Sequence, residues 1–491
     1  MASKATSPAV EVIIVGAGLS GLAAGKTLHE AGIRDILILE ADSKIGGRIR
    51  TAEIGGYTVE MGANWLTGGG GAPKSSHLFE IANRHLNLKV HFSDFSSLSN
   101  VFKQDGGLYS KEEVEEALAA AEARDALCTR LSTNIVSDIS ISKAQQIADR
   151  SSEIPALLFC RAPKTALEMV IDYFQNDYED ADSPSVTSLK HTLPRHEFLD
   201  FGGETYFVAD PRGFHSIVHY IAKQFLSHSH HYDDGNHLTF DDPRIKLNQV
   251  VREINYCENR VRVKTEDGCE YEAKCAIVSV SLGVLQSNLI NFIPNLPKWK
   301  RRAVNGFNMG NFTKIFLKFP TKFWPSNTAG SEFFLYAHEN RGYYPTWQNL
   351  ENVLPGSNIL LVTVTGDESK RIDKLADETI REEAMVALRK MFGNGIPDPE
   401  QILVPRWLSN RLFRGSYSNW PVGYKQSNHK QLKDPVGPIF FTGEHTSTKY
   451  LGFADGAYCA GVDTGNEVAK CVREHQTKER KSEPSALLTN K

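Results

Sequence analysis

A glycine-rich turn lies close to the N-terminus of this chain, between a predicted strand and a predicted helix. Residues 10–15 are apolar except for Glu11, which is typical of a buried parallel strand, and a helical pattern follows over residues 19–29. Between them stand Gly16, Gly18 and Gly21 in the spacing G-x-G-x-x-G. The first glycine allows a tight turn, the second lets the backbone approach a pyrophosphate, and the third permits close packing of helix on strand. The pattern predicts a dinucleotide-binding βαβ unit.

The next strand supports this interpretation. The apolar run of residues 36–39 is followed by Glu40, 19 residues after Gly21, where a carboxylate accepts hydrogen bonds from ribose hydroxyls. Residues 46–48, Gly-Gly-Arg, then place a flexible turn and a cation beside the same pyrophosphate. The alternative interpretation is a glycine-rich turn that binds no ligand.

Length and charge exclude several classes of protein. The chain has 491 residues, and single hydrophobic cores stop growing at roughly 250–300 residues, so we expect more than one domain. The 55 Lys and Arg residues and the 59 Asp and Glu residues give a net charge of −4, which does not support chain-wide binding of nucleic acid. No apolar stretch approaches the ~20 residues that span a bilayer, and no signal peptide precedes the first strand, so no membrane association is expected.

Cysteine and histidine spacing bears on compartment and metals. The seven cysteines include no C-x-x-C pair, so neither a zinc ribbon nor a disulfide framework is predicted. A reducing compartment fits best, and the cytoplasm is the default location. His228, His230, His231 and His237 could form a metal site, but their segment, HSHHYDDGNH, lacks ordered ligand spacing and is more typical of an exposed polar loop. We therefore predict no metal site.

Four further segments resemble the FAD-dependent flavin amine oxidases. They are residues 61–65 (MGANW), 278–285 (VSVSLGVL), 441–445 (FTGEH) and 452–457 (GFADGA), so the resemblance spreads over residues 10–472. It implies an α/β fold of the amine oxidase type, with a Rossmann-like FAD-binding domain and a discontinuous α+β substrate-binding domain.

The resemblance also implies how the chain divides between these domains. Residues 10–85, 208–300 and 405–472 are assigned to the discontinuous FAD-binding domain. Residues 86–207 and 301–404 are assigned to the substrate-binding domain, and residues 473–491 to a disordered tail.

The cofactor implied by the resemblance is FAD. The residues expected to bind it are Gly16, Gly18, Gly21, Glu40, Arg48, Gly62, Asn64, Trp65, Val251, Trp407 and Glu444. The helix that begins near residues 452–457 is expected to direct its N-terminus at the flavin and to stabilise the reduced anion. A covalent flavin in this class needs a cysteine in the loop that reads Arg-Gly-Ser-Tyr here, at residues 414–417. Since this chain has none there, we expect FAD to be noncovalent.

Within the class, the chain is most similar to plant polyamine oxidases. The segments that carry this likeness are residues 172–180 (DYFQNDYED), 206–214 (YFVADPRGF) and parts of 313–423, including TKIFLKFP and SNWPVG. The likeness implies that Lys314 hydrogen-bonds through water to flavin N5. It implies that Tyr450 and Tyr417 line an aromatic tunnel and that Glu179 offers a carboxylate to a polycation. Each has a plainer alternative: a solvated lysine or glutamate, or an aromatic of the core.

Three positions depart from the family pattern. Thr67 stands where the secreted cereal-type enzymes have a second glutamate, Phe312 where they have a tyrosine near the lysine, and Asp180 where they have an aromatic residue. These departures bear on how a substrate is positioned more than on the reaction itself.

The resemblance implies oxidation of a secondary amine of spermine, thermospermine or spermidine, with dioxygen as the second substrate. The products would be an aminoaldehyde, a shorter amine and hydrogen peroxide. Three alternatives stay open: an amino-acid oxidase, a lysine demethylase and a noncatalytic flavin-binding protein. Neither the preferred polyamine, the carbon that is oxidised nor the oligomeric state follows from the sequence.

Overall fold

The computed structural model describes residues 9–70, 74–96, 98, 100–150, 162–195, 201–227, 240–258, 260–325 and 332–482. The histidine cluster at positions 228, 230, 231 and 237 and residues 483–491 of the predicted tail lie outside the described residues.

The strands of the described chain belong to five sheets. In chain order they are β1 Val10–Val15, β2 Ile36–Leu39, β3 Thr51–Ile54, β4 Tyr57–Glu60, β5 Trp65–Gly69, β6 Val90–Phe92, β7 Val101–Phe102, β8 Glu204–Val208, β9 Ile245–Lys246, β10 Val251–Cys257, β11 Arg260–Thr265, β12 Glu270–Val278, β13 Asn291–Ile293, β14 Asn308–Met309, β15 Phe312–Lys318, β16 Phe333–Tyr336, β17 Thr346–Asn349, β18 Ile359–Thr365, β19 Gln401–Leu403, β20 Ser418–Asn419 and β21 Ile439–Phe441.

The helices alternate with these strands. They are α1 Leu19–Glu30, α2 His77–Glu80, α3 Lys111–Asn134, α4 Ile141–Arg150, α5 Ala166–Gln175, α6 Asp177–Asp180, α7 Leu189–Thr192, α8 His215–Lys223, α9 Leu282–Leu285, α10 Lys298–Gly306, α11 Gly366–Ile372, α12 Asp377–Phe392, α13 Gln426–Lys433 and α14 Ala454–Ser482. A π-helical turn follows α2 over Ile81–His85, and 3₁₀ turns occupy Leu350–Asn352 and Glu444–Thr446.

The largest sheet has a parallel centre. β9, β2, β1, β12 and β21 lie side by side in parallel, and Val15 of β1 is paired with Leu39 of β2 on one side and with Val278 of β12 on the other. Residues 12–15 of β1 and 36–39 of β2 are continuous apolar sequences and all are buried, as expected in a sheet that is covered on both faces. The carboxyl ends of β1, β2, β12 and β21 therefore meet at one edge, where the predicted motifs begin.

The remaining strands of this sheet form the predicted meander. β10, β11 and the first half of β12 are antiparallel neighbours, and β13 lies parallel to β10 at the edge. β12 thus changes partners along its length, from β11 to β21.

Helices from both ends of the chain cover one face of the sheet. α1 packs against α14 with little separation, since a Cβ added at Gly461 would overlap the backbone oxygen of Ser20. A Cβ added at Gly25 of α1 would lie 3.0 Å from the ring of Phe225. Small residues at these positions let the helix backbones approach, so the first and last helices form one layer over the parallel strands.

A six-stranded sheet in the order β19-β15-β18-β17-β16-β7 forms the second unit. β15 is paired along its whole length with β18, and Lys314 lies opposite Thr363. Trp347 and Phe334, both fully buried, pack with side chains of α12 in the core of this unit. The predicted fold class, a Rossmann-like unit joined to an α+β unit, is confirmed.

A small sheet joins the two units. β8 pairs with β5 on one side and with β6 on the other, so it combines strands from both sides of the boundaries predicted at residues 85 and 207. The exact domain boundaries stay a prediction.

The C-terminal helix is longer than expected from the sequence. α14 continues to Ser482, so the tail boundary predicted at residue 473 lies inside a helix. Among the helices of the described residues, none combines the length and the apolar character needed to cross a bilayer.

Candidate active site

The parallel strands converge on an open cavity at the carboxyl edge of the sheet. Gly16 follows β1, Glu40 follows β2 and Ser279 follows β12, and all three line it. Arg48 and Val251 lie in the same wall. The carboxyl edge of a parallel sheet is where doubly wound α/β folds bind nucleotides, so these residues stand where the sequence predicts the dinucleotide.

The three motif glycines are needed for three different reasons. Gly16 has a φ of +104°, a conformation that L side chains rarely adopt. No described atom lies within 4 Å of where a Cβ on Gly18 would stand, which leaves open space beside the turn. A Cβ on Gly21 would overlap the backbone oxygen of Gly16. The turn, the open approach and the close packing are therefore those expected of a pyrophosphate-binding motif.

Glu40 also holds this turn in place. Its carboxylate accepts hydrogen bonds from the backbone N–H of Ala17 at 2.6 Å and of Asp42 at 2.8 Å. Burial raises the pKa of Glu40, and the two backbone N–H groups oppose that shift. Each carboxylate oxygen keeps a further lone pair, so ribose hydroxyls could be accepted as well.

Arg48 connects the cavity with the C-terminal motif. Its Nη1 donates to Glu444 Oε1 and to the backbone oxygen of Ser416, both at 2.8 Å. Ser418 Oγ donates to the other Glu444 oxygen at 2.5 Å. Burial would raise the pKa of Glu444, but the charge of Arg48 and these hydrogen bonds hold it below its usual value. Glu444 is thus a buried anion that fixes Arg48 beside the cavity.

Lys314 is a buried cation between the two units, with 2% of its surface exposed. Its Nζ donates to Asn64 Oδ1 and to the backbone oxygen of Gly62 at 2.6 Å, and to the backbone oxygen of Glu60 at 3.2 Å. The first two contacts join it to predicted flavin-binding residues. A charged ammonium has three protons, so a water at this nitrogen would replace the longest contact, to Glu60.

The Glu60 side chain is a feature that the sequence interpretation missed. It is 5% exposed; Oε1 accepts the N–H of Phe214 at 2.5 Å, and Oε2 has no hydrogen-bond partner among the described residues. Burial raises the pKa of Glu60 and lowers that of Lys314, and the charge of each group partly offsets the shift of the other. The sequence signal that could have identified Glu60 is its position directly before the MGANW segment.

A chain of aromatic rings leads away from Lys314. Lys314 Nζ lies 5.4 Å from the centroid of the Trp65 ring, which is 6.3 Å from that of Tyr178. The Tyr178 ring lies 5.3 Å from Phe312, and Phe312 lies 5.9 Å from Tyr417. The structure therefore brings Trp65 and Tyr417 to one aromatic cluster, and Phe312, one of the departures from the family pattern, is at its centre.

Glu179 lies at the far end of this cluster. Tyr417 Oη donates to the backbone oxygen of Glu179 at 2.9 Å. The Glu179 side chain is accessible to water, yet enough protein surrounds it that loss of solvation raises its pKa. The positive charge of Arg195 opposes this shift and the negative charge of Asp180 adds to it.

Trp407 is brought close to the cofactor cavity. Its ring lies 5.1 Å from that of Phe413, which lines the cavity, and a Cβ on Gly62 would be 3.4 Å from it.

Two other residues singled out in the sequence have different neighbours. Tyr450, in the turn before α14, stacks on Phe201 at 6.0 Å. Thr67 is half-buried in β5, and its backbone oxygen accepts from Ser76 Oγ at 2.8 Å.

Several lining residues of the cavity were not assigned in the sequence. They are Gln249, Ser279, Ser281, Leu412 and Phe413, among others. The signal for Ser279 and Ser281 was the VSVSLGVL segment, which directly follows a buried strand. Gln249 and Phe413 carry no local pattern.

Comparisons with known proteins agree with this geometry. The sequence profile of the family described as flavin containing amine oxidoreductase matches residues 19–469. The chain belongs to this family. Polyamine oxidase 1 of Zea mays is 46% identical to it over 97% of this chain and 93% of that protein. Polyamine oxidase 6 of Oryza sativa subsp. japonica is 47% identical over 95% and 92%.

A solved structure shows the same fold as this flavin-containing amine oxidoreductase. It is a double mutant of putrescine oxidase made in a structure-based redesign of cofactor binding, with a TM-score of 0.67 and 18% identity, over 95% of this chain and 100% of the other. Family membership makes FAD the cofactor, and the cavity fits it: glycines without a Cβ, an acceptor at Glu40 and a fixed cation at Arg48 surround the opening.

Proposed function

We propose that the protein oxidises a secondary amine of a linear polyamine such as spermine, thermospermine or spermidine. Water hydrolyses the imine formed by this oxidation to an aminoaldehyde and a shorter amine, and dioxygen is reduced to hydrogen peroxide. FAD, when bound, would accept the hydride equivalent, and dioxygen would reoxidise the reduced cofactor.

One observation carries the proposal: an aromatic cluster connects a buried lysine with an accessible carboxylate. Trp65, Tyr178, Phe312 and Tyr417 form the cluster between Lys314 and Glu179. A linear polyamine alternates methylene segments with ammonium groups. Aromatic faces contact the methylenes and attract cations, and a carboxylate pairs with an ammonium. The names of the relatives at 46–47% identity support the same substrate class.

Each of these residues has a defined task in the proposed reaction. Glu179 binds an ammonium that is not oxidised and so fixes the substrate along the aromatic cluster. The rings orient the reacting C–H bond and exclude water from it. Lys314 is held by Gly62 and Asn64; with FAD bound, it would exchange its contact to Glu60 for a water and hold that water for the reaction. The reacting nitrogen is a neutral amine, so the reaction is favoured at pH values where it loses its proton.

Anaerobic reduction of the flavin tests the proposal. Spermine, thermospermine and spermidine are each mixed with the yellow holoprotein, and loss of the flavin absorbance is recorded. We expect bleaching by at least one of them, and mass spectrometry of the aerobic products then identifies the oxidised carbon. Putrescine, which has two primary amines and no secondary amine, is the matched control and should bleach the flavin far more slowly.

The same assay distinguishes the alternatives. Bleaching by amino acids or by a methyl-lysine peptide, without bleaching by polyamines, would assign the protein to another amine oxidase activity. A flavin that no amine bleaches would indicate a noncatalytic flavin-binding protein.

Two further parts of the proposal concern the cofactor linkage and the compartment. FAD is bound noncovalently, because residues 414–417 offer no cysteine; acid precipitation should release the flavin, and flavin left in the pellet contradicts this. The cytoplasm is supported by the cysteines of the described residues, which are all free thiols.

A further inference from the structure

Asp180, the residue after Glu179, forms an ion pair with Arg195, and neither residue has a role in the proposed reaction. Arg195 Nη1 donates to Asp180 Oδ1 at 2.8 Å, and Nη2 donates to Oδ2 at 3.1 Å. Asn176 Oδ1 accepts from the same Nη2 at 2.8 Å. The side chains of Arg195 and Asp180 are 27% and 11% exposed. This two-point contact fixes the guanidinium in one place beside Glu179.

We infer that Asp180 and Arg195 determine how strongly Glu179 binds a cationic substrate. This inference rests on the proposed function, since it assumes that the ligand of Glu179 is an ammonium. An ammonium at Glu179 is attracted by Glu179 and Asp180 and repelled by Arg195. The pair therefore adjusts the electrostatic potential next to the binding carboxylate, and it is separate from the residues proposed to contact the flavin.

Backbone hydrogen bonds hold Glu179 and Asp180 in place, while the surroundings of their two carboxylates differ. The backbone oxygen of Glu179 accepts from Tyr417 Oη at 2.9 Å, and that of Asp180 accepts from Asn419 Nδ2 at 2.8 Å. Both neighbours are thus tied to the segment that contains β20. The Asp180 side chain is engaged by Arg195, whereas that of Glu179 stays accessible.

The electrostatic influence of the pair already reaches the carboxyl of Glu179. The charge of Arg195 lowers the pKa of Glu179, and the charge of Asp180 raises it. Asp125 adds another carboxylate near Arg195. A substrate ammonium at the same place has the opposite charge to the Glu179 carboxylate, so Asp180 attracts it and Arg195 repels it. Removal of Asp180 should therefore weaken substrate binding, and removal of Arg195 should strengthen it.

Steady-state kinetics of four variants test this inference. Asp180→Asn keeps the shape and removes the negative charge, so KM for spermine should rise by about three- to tenfold at low salt. Arg195→Gln should lower KM by a similar factor. The double variant Asp180→Asn/Arg195→Gln should return KM to near the wild-type value, and Arg195→Lys, which keeps the charge but loses the two-point contact, should leave it little changed. In all four, kcat should change much less than KM, and 0.5 M salt should compress the differences.

The opposite pattern would overturn the inference. If Arg195→Gln raises KM as Asp180→Asn does, and the double variant is no better than either, the pair only supports the local fold. FAD content and Tm, measured for every variant, show whether a protein is folded. Arg389→Gln, which removes the same charge from the exposed Arg389–Asp398 pair at 2.7 Å, is the matched control and should not change KM.

A binding measurement separates this inference from the proposed function. Calorimetry of spermine binding to each anaerobic holoprotein should give the same order of affinities as the KM values. A wild type that binds spermine but never reduces its flavin contradicts the proposed function, while the order of affinities still tests the pair. Equal spermine affinities in all four variants would remove Asp180 and Arg195 from substrate recognition whatever the turnover.

Discussion

The cofactor cavity and the aromatic cluster are built in different ways. In the cavity, the segment of residues 16–48 contributes through its backbone: glycines, N–H groups and the ends of parallel strands. The cluster depends on side chains from separate elements, with Lys314 on β15, Trp65 on β5 and Tyr417 just before β20. A backbone-built site fails when an added atom overlaps it. A site built from side chains fails gradually, as individual contacts are lost.

The largest effects are expected at two of the motif glycines. Gly21→Ala places a Cβ on the backbone oxygen of Gly16, so we expect loss of FAD and a fall in stability of about 1–3 kcal/mol or more. Gly18→Ala is the matched control, because Gly18 has a φ of −72° and open space around it. It should fold normally and lose only FAD affinity. Denaturant unfolding of both apoproteins and FAD titration distinguish these results; an equal loss of stability in both variants would contradict the difference in packing around the two glycines.

Removal of Lys314 should affect the reaction and leave the cofactor in place. Lys314→Met loses the contacts to Gly62 and Asn64, and we expect flavin reduction or reoxidation to slow by roughly 100-fold while FAD stays bound. Lys318→Met on the same strand, whose Nζ binds the backbone oxygen of Phe319, is the control. Stopped-flow absorbance measures both half-reactions. Unchanged rates in both would exclude Lys314 from the mechanism.

The free energy of unfolding at mildly acidic pH should depend on two buried histidines, His429 and His445. His445 and His429 are buried, and burial lowers the pKa of each to about 4. Between pH 4 and the unfolded value of 6.5 the unfolded chain binds more protons, so stability falls as pH decreases through this window. By pH 5 the loss is roughly 2 kcal/mol for each histidine.

Denaturant unfolding at pH 7, 6 and 5 measures this dependence. The ring nitrogens of His445 have no hydrogen-bond partner among the described residues, so His445→Asn should remove about half of the change without breaking a bond. Identical pH profiles of variant and wild type would show that His445 is not the group that titrates.

The smallest of these effects is expected at Glu40. Glu40→Ala loses the acceptor for Ala17 and Asp42 and for the ribose, and FAD affinity should fall by about tenfold. Glu30→Ala, at the exposed end of α1, is the control. Fluorescence titration of the apoproteins with FAD gives both values. An unchanged dissociation constant for Glu40→Ala would place the ribose elsewhere in the cavity.

The same difference explains what could be predicted from the sequence. Gly16, Glu40 and the strands around them follow a local pattern, because the turn, the helix N-terminus and the next strand are consecutive in the chain. The meander and the buried strands were also predictable from apolar periodicity. Here local sequence and tertiary structure impose the same requirement.

The aromatic cluster has no such local pattern. Lys314 and Glu179 were assigned only through family resemblance, and their neighbours Glu60 and Arg195 were not assigned. Their importance arises from contacts between residues that are far apart in the chain, such as Lys314 with Asn64, which the sequence of neither segment contains. Asp180 was noticed as a departure from the family, but its partner Arg195 became visible only in the structure.

The contact of α1 with the segment that follows β21 has a consequence for synthesis. Ser20 Oγ lies 2.8 Å from Thr442 Oγ1, and these residues are 422 positions apart. At translation rates of about 5–20 residues per second, roughly 20 to 80 seconds separate their appearance. The glycine turn therefore leaves the ribosome long before the strand and helix that complete its binding site exist. A nascent chain has to keep its N-terminal βαβ unit free of aggregation over that interval, and a ribosome that stops before residue 442 releases a chain that cannot close around its cofactor.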